Sequence, residues 1–406
     1  MRVALVYRSF HLAGSLPRGT VELARHLSQH HEVHVFSVGG QTERALAPDC
    51  AFHDVPVSHV GDGSRFSARE LGSFARNVAA LLSREEFDVV HTCAPSTWVS
   101  NVLHVPGVAR DEARLQGIAG WRYAAAAVRH PGDAVRRLLE RKALAYPGLR
   151  RIHAAAPSVQ DALARRYGIA SEHVRVVTPA VNLDEFRPPE DKAAARAAAG
   201  IHEPDTFVLL FCGSDFARKG LDRAILALAE ARTKTMLLVV GSGPKEPFGS
   251  LAVRHGVGGL VRFLGARSDA WRFYQAADAL VLPTRADVWG VTPIEAMACG
   301  IPPIVSAAAG ASRTIDDGET GFVLQEPFEV RALRDAMDAL AADPARRQAM
   351  GKAGIASAKA HSWVERLNQV ESDLVAVAER RLGSEPVGRR VRWRPHAGRR
   401  TQGGTR

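Results

Sequence analysis

Only four cysteines (Cys50, Cys93, Cys212 and Cys299) occur in 406 residues, and no two form a C-x-x-C pair. Their wide scatter suits neither a zinc site nor a disulfide framework, so they read as small buried hydrophobes. No apolar run approaches the roughly 20 residues needed to span a bilayer. The opening MRVALVYRSFH lacks the longer apolar core and small-residue cleavage site of a secretory signal, and a cytoplasmic location is expected. No short internal repeat is present. Acidic residues are missing from the stretch 386–406, which carries seven arginines and supplies most of the net charge of +10. That stretch is rich in Gly and Arg, lacks periodicity and is predicted to be a flexible tail. The rest of the chain is close to neutral at +3, which weakens any case for a specific nucleic-acid partner.

What is present is an alternation of apolar strand-like runs with helical stretches, the pattern of parallel sheets covered by helices. Runs at 2–7, 31–37, 88–91, 101–105, 152–156 and 174–177 predict one Rossmann-like half. Prolines at 179, 188 and 189 then break regular structure, and the hinge is placed in 178–192. A second series follows, with strands at 207–212, 236–240, 261–264, 279–282 and 303–305 and helices from about 328 to 382. The predicted fold class is α/β, two Rossmann-like domains facing each other across a cleft. The first covers 1–180 and the second 190–360, with a closing helix at 361–385 and the basic tail at 386–406. Such sheets bind ligands at the carboxyl ends of their strands.

The most informative stretch is 286–300, ADVWGVTPIEAMACG. Thr292-Pro293-Ile294-Glu295 has the form of a capping box, with Thr292 as cap, Pro293 at the first helical position and Glu295 reaching back. Gly290 ahead of it would let backbone approach a ligand. The N–H groups at 290–293, those of Gly290, Val291 and Thr292 among them, would then face an anion such as a diphosphate. The plainer reading is an ordinary capped helix. A second candidate is 212–220, CGSDFARKG, where Arg218 and Lys219 lie on a Gly-flanked loop as a phosphate clamp requires.

These strings resemble the family 4 retaining glycosyltransferases of GT-B fold, the lipopolysaccharide-core glucosyltransferases in particular. The stretch 286–300 is similar to that family's Glu-x7-Glu signature. Glu295 takes the second acidic position, which the resemblance assigns to the ribose hydroxyls. Asp287 takes the first, where the family usually has a Glu contacting the donor sugar, and Trp289 replaces the usual Phe. GSDFARKGLDRAILALA resembles the region whose Arg-Lys pair neutralises the donor diphosphate. Ser214 stands where many members have another Arg, so Arg218 is expected to take over that charge. GSGP at 241–244, GARS at 265–268 with Arg267, YQAAD at 274–278 and VNLDEF at 181–186 match further family segments, those around Arg267 and Tyr274 being where the base is held.

In the first half, Gly14 stands where the family has a Gly-Gly loop near the phosphates, and Arg18 echoes an Arg of the lipopolysaccharide-core members. His104 is the best candidate there to face the donor sugar, while His91 is expected to be structural. The resemblance implies transfer of a hexose, glucose from UDP-glucose, with retention, onto a saccharide or lipid-linked saccharide. Catalytic roles fall to Asp287, His104 and Lys219. Gly14, Arg218, Lys219, Arg267, Gly290, Val291, Thr292 and Glu295 bind the donor. No cofactor is expected. No Asp-x-Asp occurs in the chain, so no metal is expected to bridge the diphosphate. The basic and aromatic stretch Trp121 to Lys142 suits an anionic membrane surface, with a solvated helix face as the plainer reading. Alternative functions are a nucleotide-sugar epimerase, a non-catalytic nucleotide-sugar sensor, and nucleic-acid binding through the tail alone.

Overall fold

The computed structural model describes residues 1–12, 15–58, 67–109, 131–203, 205–325, 329–379 and 387. Two parallel sheets organise it. The first has the order β3-β2-β1-β4-β5-β6-β7 and the second β10-β9-β8-β11-β12-β13. In the first, β1 is Arg2–Val6, β2 Glu32–Ser37, β3 Ala51–Asp54, β4 Val89–Thr92, β5 Val102–Val105, β6 Arg151–Ala154 and β7 Val174–Val176. In the second, β8 is Phe207–Cys212, β9 Thr235–Val240, β10 Val261–Gly265, β11 Ala279–Leu282, β12 Pro303–Ser306 and β13 Phe322–Leu324. The central strands of the second sheet are almost wholly apolar because helices cover both faces. Leu237, Leu238 and Val239 of β9 and Leu280 to Leu282 of β11 have no exposed surface.

Helices connecting the first sheet are α1 (Ser15–Ser28), α2 (Ala68–Leu82), α3 (Pro131–Leu144) and α4 (Pro157–Tyr167). Helix α4 ends on Gly168 at φ +67°, a left-handed stop. The second half carries α5 (Lys192–Ala198), α6 (Phe216–Lys219), α7 (Leu221–Ala229), α8 (Lys245–Arg254), α9 (Trp271–Ala276), α10 (Thr292–Ala298), α11 (Val330–Ala342) and α12 (Pro344–Ala358).

The last helix, α13 (Trp363–Ala378), follows the second half in sequence yet packs on the first. Its Leu367, Val370, Leu374 and Val377 join Val3, Leu5, Val21, Leu27, Val89 and Val102 in one apolar cluster. The two chain crossings run side by side: Val181 N–H donates to His361 O (2.9 Å) and Trp363 N–H to Val181 O (3.0 Å). Two strands escape the sequence pattern, β3 and β13. Both are short edge strands with few buried side chains, so neither shows an apolar run. Of the tail only Val387 is described; it is buried, and its N–H donates to Leu149 O (3.1 Å). The rest of the tail lies outside the described residues. Among the described residues no helix is long and apolar enough to cross a membrane.

Candidate functional site

In the second sheet the strand order reverses between β8 and β11, which lie side by side and lead to loops on opposite flanks. A crevice opens at such a point, at the carboxyl ends of the strands. The loop leaving β8 carries Arg218 and Lys219; the loop leaving β11 carries Asp287 and Gly290 and leads into α10 with Glu295. Residues far apart in sequence therefore meet because of the topology.

The two loops are stitched together through backbone. Arg285 N–H donates to Arg218 O (2.8 Å), the Arg218 guanidinium returns a bond to Ala286 O (2.8 Å), and Thr284 Oγ1 donates to Arg218 O (3.1 Å). Asp287 N–H is tied to Ala308 O (3.1 Å) on the loop after β12. On this frame Lys219 Nζ donates to Asp287 Oδ2, while Arg218 Nη1 stands 3.6 Å from Asp287 Oδ1. Lys219 is almost fully enclosed, at 8% exposure, so its ammonium is held in place by Asp287 and the surrounding wall. The short helix α6 presenting both cations is capped by Asp215, among the described residues the only non-glycine with positive φ (+60°). Its carboxylate accepts from Arg218 Nε (2.9 Å). Backbone strain of this kind persists where the surroundings impose it, commonly at functional loops.

Gly290 has φ +79°, and a Cβ built there would lie 2.6 Å from Asp287 Oδ2 and 3.8 Å from Lys219 Nζ. Only glycine fits against this ion pair. Among the described residues, the N–H groups of Gly290, Val291 and Thr292 find no acceptor in the protein.

The capping box expected at Thr292 does not form. Helix α10 is preceded by Val291 in helical conformation with no side-chain cap, and the Thr292 hydroxyl is buried without a partner. Glu295 does not reach back. It accepts instead from the Tyr274 hydroxyl of α9 (2.6 Å). Burial pushes the Glu295 carboxyl above its ordinary value. The Tyr274 bond and the charges of Arg18 and Lys219 pull it down, and Glu185 pushes it up. Arg18, on α1 of the first half, pairs with Glu185 of the linker at 2.6 Å. A cation of one half and the carboxylate of the other thus share one electrostatic environment.

The other candidate residues have different partners. Arg267 is exposed, clamped by Asp269 (2.8 Å to each oxygen) and stacked over Phe273 at 5.5 Å, with no bond to the Lys219 group. His104 lies on β5 in register with His153 of β6, and His153 Nε2 meets Asp373 of α13 at 2.9 Å. Neighbours in register on parallel strands point to one face, so His104 belongs to the face under α13. Burial, and then His153, push its imidazole down to about 3. No hydrogen bond or ion pair among the described residues joins it to Lys219, Asp287 or Glu295. His91 is buried in the same row, its ring 5.8 Å from that of His153. Gly14 lies outside the described residues, as do residues 121–130 of the basic stretch. The remainder of that stretch is α3, where Lys142 lies over the Trp98 ring at 5.2 Å. The Tyr274–Glu295 bond and the Arg18–Glu185 pair had no sequence signal, because each joins segments that only folding brings together.

Two family models match adjacent parts of the chain: "Glycosyltransferase Family 4" over 16–185 and "Glycosyl transferases group 1" over 192–357. The chain belongs to the family 4 glycosyltransferases of GT-B fold. It is 35% identical over 213 residues to the D-inositol 3-phosphate glycosyltransferase of Kribbella flavida, covering 48% of this chain and 49% of that protein. It is 33% identical over 190 residues to the lipopolysaccharide glucosyltransferase WaaG of Escherichia coli, covering 45% and 50%. The alignments thus span about half the length of these curated relatives. In three dimensions it superposes on the crystal structure of WaaG with a TM-score of 0.74 at 23% identity, covering 94% and 98% of the chains. With Anabaena HepE in complex with UDP and glucose the TM-score is 0.70 at 18% identity, covering 93% and 100%. These two likenesses establish the GT-B fold.

Proposed function

We propose that the protein transfers a hexosyl unit from a nucleotide sugar, UDP-glucose in the first instance, to a saccharide or lipid-linked saccharide, with retention of configuration. The observation that carries this reading is the Arg218–Lys219–Asp287 cluster, packed against Gly290 at the strand-order reversal. Asp287 and Asp215 together balance the charge of the two cations. A diphosphate brings more negative charge and competes for them in a recess where screening is weak. Lys219 and Arg218 then stabilise the departing nucleoside diphosphate, together with the free N–H groups at 290–292. Glu295 accepts from the ribose hydroxyls, and Asp287, relieved of part of its pairing, accepts from a hydroxyl of the sugar.

The anomeric carbon's bond to the phosphate oxygen breaks as its bond to the acceptor oxygen forms on the same face. The acceptor proton passes to the leaving phosphate oxygen, so neither a paired carboxylate acid and nucleophile nor a divalent ion enters the scheme. The donor choice is supported by the glucosyltransferase WaaG among the relatives and by HepE, solved with UDP-glucose. The acceptor is assigned to the first domain, on the far side of the cleft. His104 is left out of this scheme because its neighbours are His91, His153 and α13.

The test is UDP release from UDP-glucose with and without saccharide acceptors. Release that depends on acceptor supports transfer, whereas conversion of the sugar without UDP release or acceptor supports epimerisation. Lys219→Ala is expected to lower turnover by roughly 10²-fold or more, as for loss of one strong donor to the transition-state charge. Turnover unchanged by that substitution would remove Lys219 from the mechanism.

A further inference from the structure

Glu295 is a half-buried carboxylate, and burial opposes the charge that the proposed function needs it to carry. What holds it is specific. Tyr274, on α9, has no exposed surface and donates its hydroxyl to Glu295 Oε2 at 2.6 Å. The tyrosine is itself fixed: the Phe186 ring meets it edge-on at 5.3 Å and 83°. Phe186 lies in the linker, one residue after the Glu185 that pairs with Arg18 of the first domain. A carboxylate has four lone-pair sites, and one bond to Tyr274 leaves the others for a ligand.

We propose that Tyr274 is a positioning residue that locks the Glu295 carboxylate into the orientation and ionised form needed to accept from both ribose hydroxyls of a nucleoside diphosphate. The inference rests on the proposed donor site and adds to it a residue that touches no substrate. A short hydrogen bond to an ionised acceptor is among the stronger ones, and it restricts the carboxylate plane as well as its charge. The charged and titratable groups facing Glu295 are Tyr274 from α9, Cys212 from the end of β8, Lys219 from α6, Arg18 from α1, Glu185 from the linker and Cys299 beyond α10. Burial pushes the Cys212 thiol up to about 12, so it stays neutral near pH 7. The Tyr274 phenol is held well above its ordinary value, so it remains a donor throughout the working range.

The experiment is titration of UDP into wild type, Tyr274→Phe, Glu295→Gln and the double variant between pH 5 and 8. Tyr274→Phe keeps the ring and the Phe186 contact while removing one hydroxyl. UDP affinity is expected to fall about tenfold at pH 7, the factor typical of losing one charge-assisted bond. The decline of affinity on acidification should also begin at higher pH, because the bond that lowers the Glu295 pKa is gone. KM for the nucleotide sugar should rise with kcat changed less than about threefold. In the Glu295→Gln background the same substitution should add little further loss.

Full additivity, or a wild-type pH profile in Tyr274→Phe, would overturn the positioning role. Should Tyr274→Phe not fold, Phe186→Leu, which leaves the hydroxyl in place, is expected to weaken UDP two- to threefold with the same upward shift; no shift would overturn the inference. Wild type that binds no UDP at all would overturn the donor-site reading and this inference with it. Wild type that binds while Tyr274→Phe matches it would overturn this inference alone.

Discussion

At the scale of single residues, the site depends on what is absent at position 290 as much as on the charges beside it. Any side chain there would sit against Asp287 Oδ2 at 2.6 Å and would have to adopt φ near +79°. Gly290→Ala is expected to cost about 1–2 kcal/mol from the left-handed backbone alone. That corresponds to a fall in melting temperature of roughly 2–8 °C for a domain of this size. It should also lower turnover more than the stability loss explains, because the Asp287–Lys219 pair must move aside. Thermal melts run beside initial rates check this, and an Ala variant with wild-type turnover would show that the ion pair does not set the pocket. Lys219, Asp287 and Glu295 could be singled out as candidates in the sequence, Asp287 and Glu295 by the spacing of a family signature and Lys219 by the Arg-Lys pair after β8. Tyr274 as the partner of Glu295 could not, since a bond between residues 274 and 295 leaves no periodic trace.

At the scale of elements, the apolar central strands could be read directly, and the edge strands β3 and β13 could not. An edge strand buries little, so Ala51-Phe52-His53-Asp54 carries no run to recognise. The capping box at Thr292 failed for another reason. Glu295 has a better partner in Tyr274, and tertiary context overrode a local motif. The docking of α13 onto the first domain is likewise a tertiary result. Its buried Asp373 receives His153 at 2.9 Å and Arg175 at 3.3 Å, with Arg151 at 3.9 Å. Asp373→Asn keeps the shape and removes the charge, leaving two guanidinium groups facing an uncharged amide. Loss of one partner from a buried charge group costs about 3–5 kcal/mol, less here because Arg175 is partly exposed. Urea unfolding should show a clear fall in midpoint, and an unchanged midpoint would mean that apolar packing alone holds α13.

At the scale of the whole molecule, the row of histidines under α13 gives stability a pH dependence of definite sign. Burial holds His91 far below its ordinary value and His104 at about 3, so both stay neutral in the fold. In the unfolded chain they protonate near 6.5. As pH falls below 6.5 the unfolded state therefore binds more protons, and stability declines, for His104 until its folded value near 3 is reached. Glu371 adds to the same trend. His26 and His31 bond to it at 2.8 Å and pull its carboxyl down, so its contribution is also lost on acidification. Chemical unfolding at pH 7.5 and 5.0 should show the protein less stable at the lower pH. Equal stability at both would contradict the burial of His91 and the partial burial of His104 beneath the helix. The two-domain α/β organisation was legible from the alternation of strands and helices and from the proline-rich linker. The return of the last helix across the cleft was not, because its apolar face would suit either domain.

The account as a whole rests on a pyrophosphate binding where Lys219 and Arg218 now hold Asp287. The most direct measurement is calorimetric titration of UDP into the wild-type protein and into Lys219→Ala at neutral pH without divalent ions. Wild type is expected to bind one UDP per chain, and the variant at least about 30-fold more weakly, the loss of roughly 2 kcal/mol that a charge-assisted contact supplies. Equal affinity in the two proteins, or no binding by wild type, would contradict it.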